Sequence, residues 1–134
     1  MSTYAQLTLA AEVYAVPIGH VVEIASLGDL AAVPGARPEI LGVRNLRGQI
    51  LPVIDLAQLL GLRAAAPPQQ LLVAEWGSIQ AGFAIDEVSQ VGELPDPAEE
   101  AESDFLLGTM IHEGQLLAVI DVPRIFGSLQ PAEV

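Results

Sequence analysis

Cysteine is absent from this 134-residue chain, so it forms no disulfide and offers no thiolate as nucleophile or metal ligand. Lysine is absent as well: the five basic residues are all arginine, against 17 acidic ones, for a formal charge of −12. Arg37, Arg44, Arg47 and Arg63 fall in residues 1–67 beside five acids, whereas residues 68–134 hold one arginine and twelve acids. Phosphate backbones and anionic bilayers are bound through clustered Lys and Arg, so nucleic acid and lipid are poor partners for this chain. Long apolar runs are missing too. The longest, Leu116 to Ile120, has five residues; a spanning helix needs roughly 20, so no membrane insertion is expected. Met1 to Leu9 shows no basic n-region and no cleavage-type site, and the expected compartment is the cytoplasm. The P-loop, dinucleotide fingerprint, zinc-protease helix, nucleophile elbow and EF-hand patterns are all lacking.

What is present is apolar and short-ranged. About half of the residues are hydrophobic (51%) and 16% are charged, which suffices for a core and is too little charge for disorder. The length fits one domain, or two small units sharing a core. Residues 6–10 and 13–18 read as strands around a turn at Ala11 and Glu12. Gly19 to Ser26 is apolar but too short to assign to helix or strand. Leu27 to Pro38 reads as a loop. Strand signals return over 40–45 and 50–54, around a turn at Arg47 and Gly48. Pro52 has no N–H for a ladder, which predicts an edge strand or a bulge. Asp55 as N-cap, the spacing of Leu56, Leu59 and Leu60, and Gly61 as C-cap predict a short helix.

The second half repeats the first. Residues 49–61 align with 115–127 at an offset of 66, sharing Gln, Leu, Val, Ile, Asp and Gly at six of 13 positions. Gly42 and Gly48 fall on Gly108 and Gly114, and Ile18 to Val21 lies over Ile85 to Val88. The order of signals predicts an all-β chain with short helices: two small barrels, from residues 6–61 and 70–127, with exchange of strands between them left open. No helical stretch is long enough to cross over a parallel sheet. Residues 63–70 form the join. Residues 95–104 pack five acids into ten positions and read as a solvated loop rather than a docking segment.

Catalytic chemistry has little to rest on. His20 and His112 are the only imidazoles, and two lone histidines point to hydrogen-bonded or exposed roles before metal ligation. Asp55 and Asp121 occupy equivalent places and could form a carboxylate pair, but each directly precedes a short helix, and N-capping explains both. A small barrel enzyme or ligand binder using these four residues stays open as an alternative, as does a module that self-assembles through edge strands.

The stretch Gly42-Val-Arg-Asn-Leu-Arg-Gly-Gln-Ile-Leu-Pro-Val-Ile-Asp-Leu56 resembles the signature of the CheW-like domain family. Tyr14 to Ile24, Gly82 to Val88 and Val119 to Val122 are similar to three further segments of that family, in the same order. The resemblance spans about Gln6 to Phe126 and implies a single CheW-like domain of two five-stranded SH3-like barrels. It implies a scaffold rather than a catalyst, with no cofactor or metal. The partners it implies are the regulatory domain of a CheA-type histidine kinase, the helical tip of a methyl-accepting chemoreceptor, and other CheW-like domains in rings, at cytoplasmic receptor arrays under the inner membrane. By position, Ile18, Val21, Gly42 and Val43 would line a receptor groove, where apolar side chains suit a helix. Ile18 and Val21 could equally be core. Glu23 and Arg47 would pair across the groove. Leu71, Leu72 and Val73 would form the strand that meets the kinase, with core again the alternative. Arg44 is expected to be a surface charge, and Asn45 and Gly48 to make the turn. The missing lysine, and Leu41 where relatives often carry a basic residue, leave flagellar and pilus-driven pathways both open. With no kinase, phosphotransfer or receiver segment in its 134 residues, a free-standing coupling protein is expected.

Overall fold

The first hairpin turns on two alanines. Leu9 is paired with Glu12, so the turn is Ala10 and Ala11, one residue earlier than the sequence suggests, with φ of 51° and 68°. No Gly or Asn marks it, which is why it is displaced in the sequence reading. The Ala10 N–H donates to Asp86 Oδ2 at 3.1 Å and holds the strained turn in place. An alanine in the left-handed region costs about 1–2 kcal/mol, against about 0.4–1 kcal/mol for the extra unfolded-state freedom of glycine. Ala11→Gly is therefore expected to raise stability by about 0.5–1 kcal/mol and the melting temperature by about 2–4 °C. A melting curve that moves down would show that the turn carries no strain.

The computed structural model describes residues 1–101 and 103–129; Glu102 of the acidic loop and residues 130–134 lie outside them. The strands are β1 (Ser2–Leu9), β2 (Glu12–Pro17), β3 (Val21–Ser26), β4 (Ile40–Leu46), β5 (Gln49–Asp55), β6 (Gln70–Trp76), β7 (Ile79–Ile85), β8 (Glu87–Leu94), β9 (Leu106–His112) and β10 (Gln115–Ile120). The helices are α1 (Leu56–Leu59) and α2 (Val122–Leu129), and a 3-10 turn covers Ile18–His20. The ambiguous segment 19–26 thus divides between that turn and β3.

Two five-stranded sheets result, in the orders β8-β1-β2-β10-β9 and β3-β6-β7-β5-β4. Each takes a hairpin from one repeat and three strands from the other. The junctions are parallel, β10 with β2 and β5 with β7, and the remaining pairs are antiparallel. This interleaving gives three apolar clusters. Tyr4, Ala15, Leu94, Met110, Leu117 and Val119 fill the first barrel; Leu51, Val53, Leu71, Val73 and Ala84 fill the second. The largest cluster joins both sheets, bringing Leu7, Val16, Leu72, Phe83 and Ile85 against Ile125 and Phe126 of α2.

Residues at equivalent repeat positions do equivalent work. Asp55 Oδ1 accepts from Gln58 N at 3.2 Å, and Asp121 Oδ1 from Arg124 N at 3.0 Å, so both cap their helices as the sequence predicts. Arg47 and Gly48 (φ 52° and 86°) and Glu113 and Gly114 (φ 52° and 76°) form matching two-residue turns. Pro52 departs from expectation: β5 is an inner strand, not an edge. Its parallel ladder with β7 starts only at Val53, so Pro52 sits where that side of the strand is still unpaired.

Candidate functional site

Because β3 and β4 are the outer strands of the second sheet, whatever joins them closes its barrel. Backbone does part of this: Ala31 N donates to Val43 O at 3.0 Å and Val43 N to Ala31 O at 2.8 Å, pinning the β3–β4 loop along β4. Side chains do the rest. Arg47 Nη2 donates to Glu23 Oε1 across the seam, the pair that the family resemblance implies. The Arg47 side chain is 68% exposed and that of Glu23 29%, so the pair contributes only about 0–1 kcal/mol to the fold. Asn45 Oδ1 accepts from Gly48 N at 2.9 Å and makes the turn. Arg44, read in the sequence as a surface charge, is half-buried and donates from Nε to Leu27 O at 3.0 Å.

Glu23 and Ala25 share one half-buried face of β3, while a bulge between Val21 and Glu23 turns Val21 to the other face, where it packs against the large core cluster. Ile18, on the 3-10 turn that leads into β3, is 39% exposed. That turn is fixed by a 3.0 Å hydrogen bond between His20 Nδ1 and Glu75 O. Of the assigned groove residues, Glu23 and Arg47 meet across the seam, Val43 holds the loop at Ala31, and Val21 and Ile18 lie at the start of β3 and on the turn before it. Gly42 is a correction. It is buried beneath the loop, where a Cβ would lie 2.4 Å from Ala31 O; it lets the loop close down and presents no surface of its own.

The assigned kinase strand is a second correction. Leu71, Leu72 and Val73 are 0%, 0% and 1% exposed, because β6 lies between β3 and β7 with both faces covered. Leu71 and Val73 point into the second barrel and Leu72 into the shared core. A strand buried on both faces reads as an unbroken apolar run, so of the two readings that the family resemblance leaves for these residues the structure shows the core one. Apolar surface exists elsewhere. Ile111 and Leu116 face each other across β9 and β10, 72% and 65% exposed, with Leu107 on the same face of β9. Trp76 and Ile79 form a second exposed pair at the β6–β7 turn. Strand parity supplied the missing signal: once Gly108 and Met110 are placed inside, Leu107, Thr109 and Ile111 must point out.

The residues of the enzyme alternative do not converge. Asp121 lines a cavity of about 770 Å³ beside α2, and Asp55 a separate one of about 440 Å³ beside α1. His20 serves the 3-10 turn, and His112 Nε2 lies 3.8 Å from Glu113. Among the described residues no three His, Asp or Glu side chains gather as metal ligands. The Tyr14 hydroxyl donates to Glu12 Oε2 at 2.8 Å. Burial first, then that bond and the Glu12 charge, push the Tyr14 phenol well above its ordinary range, so it stays a protonated donor.

A site of this kind, a closed barrel seam with exposed apolar strand faces, suits protein partners. A family profile described as CheW-like domain matches residues 3–130. The chain belongs to the CheW-like domain family. It is 31% identical to the "Chemotaxis protein CheW" of Rhizobium meliloti, over 86% of this chain and 81% of that one. It is 30% identical to "Protein PilI" of Pseudomonas aeruginosa, over 75% of this chain and 62% of that one. The crystal structure of the scaffolding protein TtCheW from Thermoanaerobacter tengcongensis superposes with a TM-score of 0.81 at 25% identity, covering 90% of this chain and 84% of that one. The SH3-like double barrel expected from the resemblance is therefore the fold observed. As a CheW-like protein the chain is a chemotaxis coupling adaptor. Among the described residues no helix is long and apolar enough to cross a membrane.

Proposed function

We propose that this chain holds a chemoreceptor tip and the regulatory domain of a CheA-type histidine kinase at two separate surfaces, without catalysing a reaction. The observation that carries this is the separation of its two candidate faces onto different sheets. The β3–β4 seam, with Ile18, Val21, Glu23, Val43 and Arg47, is the receptor side. The outer face of β9 and β10, with Leu107, Ile111 and Leu116, replaces the buried β6 as the kinase side. An apolar strand face rimmed by Glu99 and Glu113 fits a folded domain better than a small molecule, and the same face would take a neighbouring CheW-like domain in a ring. Cytoplasmic receptor arrays under the inner membrane are the setting in which both partners meet.

The test is substitution on the exposed strand face. Ile111→Asp should leave the melting temperature nearly unchanged, because the side chain is already in water. It should weaken binding to a purified kinase regulatory domain by about 2 kcal/mol, roughly 30-fold, the scale of an apolar hot spot. Affinity for a receptor-tip fragment should stay the same. Kinase binding that survives Ile111→Asp and Leu116→Asp in folded protein would remove this face from the proposal. The likeness to PilI supports a second reading, the same coupling role in a pathway controlling pilus-driven motility. Recovery of the receptor from source cells distinguishes the two.

A further inference from the structure

The two barrel seams are built alike in backbone and differently in side chains. The bridge Ala31–Val43 has a counterpart in Glu99–Thr109, with Thr109 at the repeat offset from Val43 and the loop partner two residues further on. Arg44 does not recur: its counterpart is Met110, buried inside the first barrel. The Arg44 guanidinium donates from Nε to Leu27 O at 3.0 Å and from Nη1 to Asn45 O. Leu27 donates its own N–H to Gln69 O at 3.1 Å, so the first residue after β3 is clamped between β4 and the join of the two halves. Gly28 makes room for the cation. It has a φ of +68°, and a Cβ there would lie 2.5 Å from Arg44 Nε and 2.8 Å from Cζ.

Resting on the groove reading above, we propose that Arg44 is a positioning residue for the receptor site. By clamping Leu27 to β4 it sets how far β3, with Val21 and Glu23, stands from β4 and its turn, with Val43 and Arg47. The Glu23–Arg47 pair cannot set that spacing alone, since one partner is two-thirds exposed and free to move. Arg44 is half-buried and reaches main-chain oxygens, so its position is tied to the backbone rather than to another flexible side chain. The planar guanidinium spans two carbonyls at once, which a lysine ammonium reproduces only in part.

The experiment measures affinities for a receptor-tip fragment and for the kinase regulatory domain separately, on folded Arg44→Met, Arg44→Lys and Gly28→Ala, with Arg47→Glu as control. Arg44→Met installs the residue of the second repeat; Gly28→Ala displaces the guanidinium while keeping its charge. Both should weaken tip binding about tenfold, the scale of effects carried through packed contacts. Kinase affinity should change by less than about twofold, as expected for a distant independent site. Arg44→Lys should recover part of the loss. Combined with Glu23→Gln, Arg44→Met should cost less than the two losses multiplied, because both act on one seam. Equal loss of both affinities, or unchanged tip binding in Arg44→Met and Gly28→Ala, would overturn the positioning role. If Arg47→Glu weakens tip binding while those variants do not, only the Arg44 role falls; if Arg47→Glu is silent as well, the groove reading falls with it.

Discussion

Gly42→Val is expected to cost about 3 kcal/mol or more. Two effects add. The φ of Gly42 is +150°, a region that side chains with a Cβ rarely adopt. A Cβ there would also stand 2.4 Å from Ala31 O and 3.0 Å from Ala31 C. The obstacle is backbone, and that carbonyl accepts from Val43 N at 2.8 Å, so it cannot retreat without breaking the bridge that closes the barrel. Gly48→Ala is the control. Gly48 has a φ of +86° with nothing within 4 Å of an added Cβ, so only backbone strain is incurred, about 1–2 kcal/mol. Gly108→Val, whose Cβ would meet Glu99 O at 2.5 Å but whose φ lies outside the left-handed region, should show the steric part of that loss alone. Denaturant titration of the three variants decides: a Gly42→Val loss no larger than that of Gly48→Ala would mean the loop is not held against β4. Receptor coupling should fail in Gly42→Val along with the seam.

The same glycines show how much of this molecule was readable in advance. Their recurrence at an offset of 66 residues marks a duplication, and the Arg47–Gly48 turn and the caps at Asp55 and Asp121 follow from local chemistry that acts within a few residues. The interleaving of the two repeats is a different matter. Hairpin β1–β2 pairs with β8 and β10 of the other repeat, contacts more than 70 residues apart that local patterning does not reach. Leu71, Leu72 and Val73, which the family resemblance assigns to a kinase face with core as the alternative, turn out to be core. An apolar run on a strand between two barrels is core on both faces, whereas on an edge strand it would be half surface. Gly42 was misread as lining because its role, a close approach by Ala31 O, involves a loop eleven residues upstream whose path the sequence leaves free. Glu23 and Arg47, 24 residues apart, were found only through the family resemblance, since ion pairs across a seam leave no local pattern.

Arg47→Glu should abolish most receptor coupling while the fold and kinase binding survive. The backbone will accept the change, because Glu113 already occupies the equivalent turn position with the same φ of 52°. The stability cost should be small. With the Arg47 side chain 68% exposed, loss of the pair and the new repulsion are screened by water to about 1 kcal/mol or less. The larger burial that would have made the change cost several kcal/mol is not present. Binding is where the reversal acts. A helical partner seated on Ile18 and Val21, as proposed, would remove water from the seam and leave two facing carboxylates desolvated and unpaired. An uncompensated charge in an interface costs about 2 kcal/mol or more, so tip affinity should fall at least 30-fold. Kinase affinity should be unchanged, since Ile111 and Leu116 lie on the other sheet. Adding Glu23→Arg in the same chain restores opposite charges in reversed order and should recover part of the tip affinity, though Glu23 is 29% exposed and an arginine there fits less freely. Isothermal titration of the single and double variants, after a melting curve on each, reads all of these together. No recovery in the charge-swapped chain, or equal loss toward both partners, would reduce Arg47 to an ordinary turn residue and move the receptor site elsewhere on the barrel.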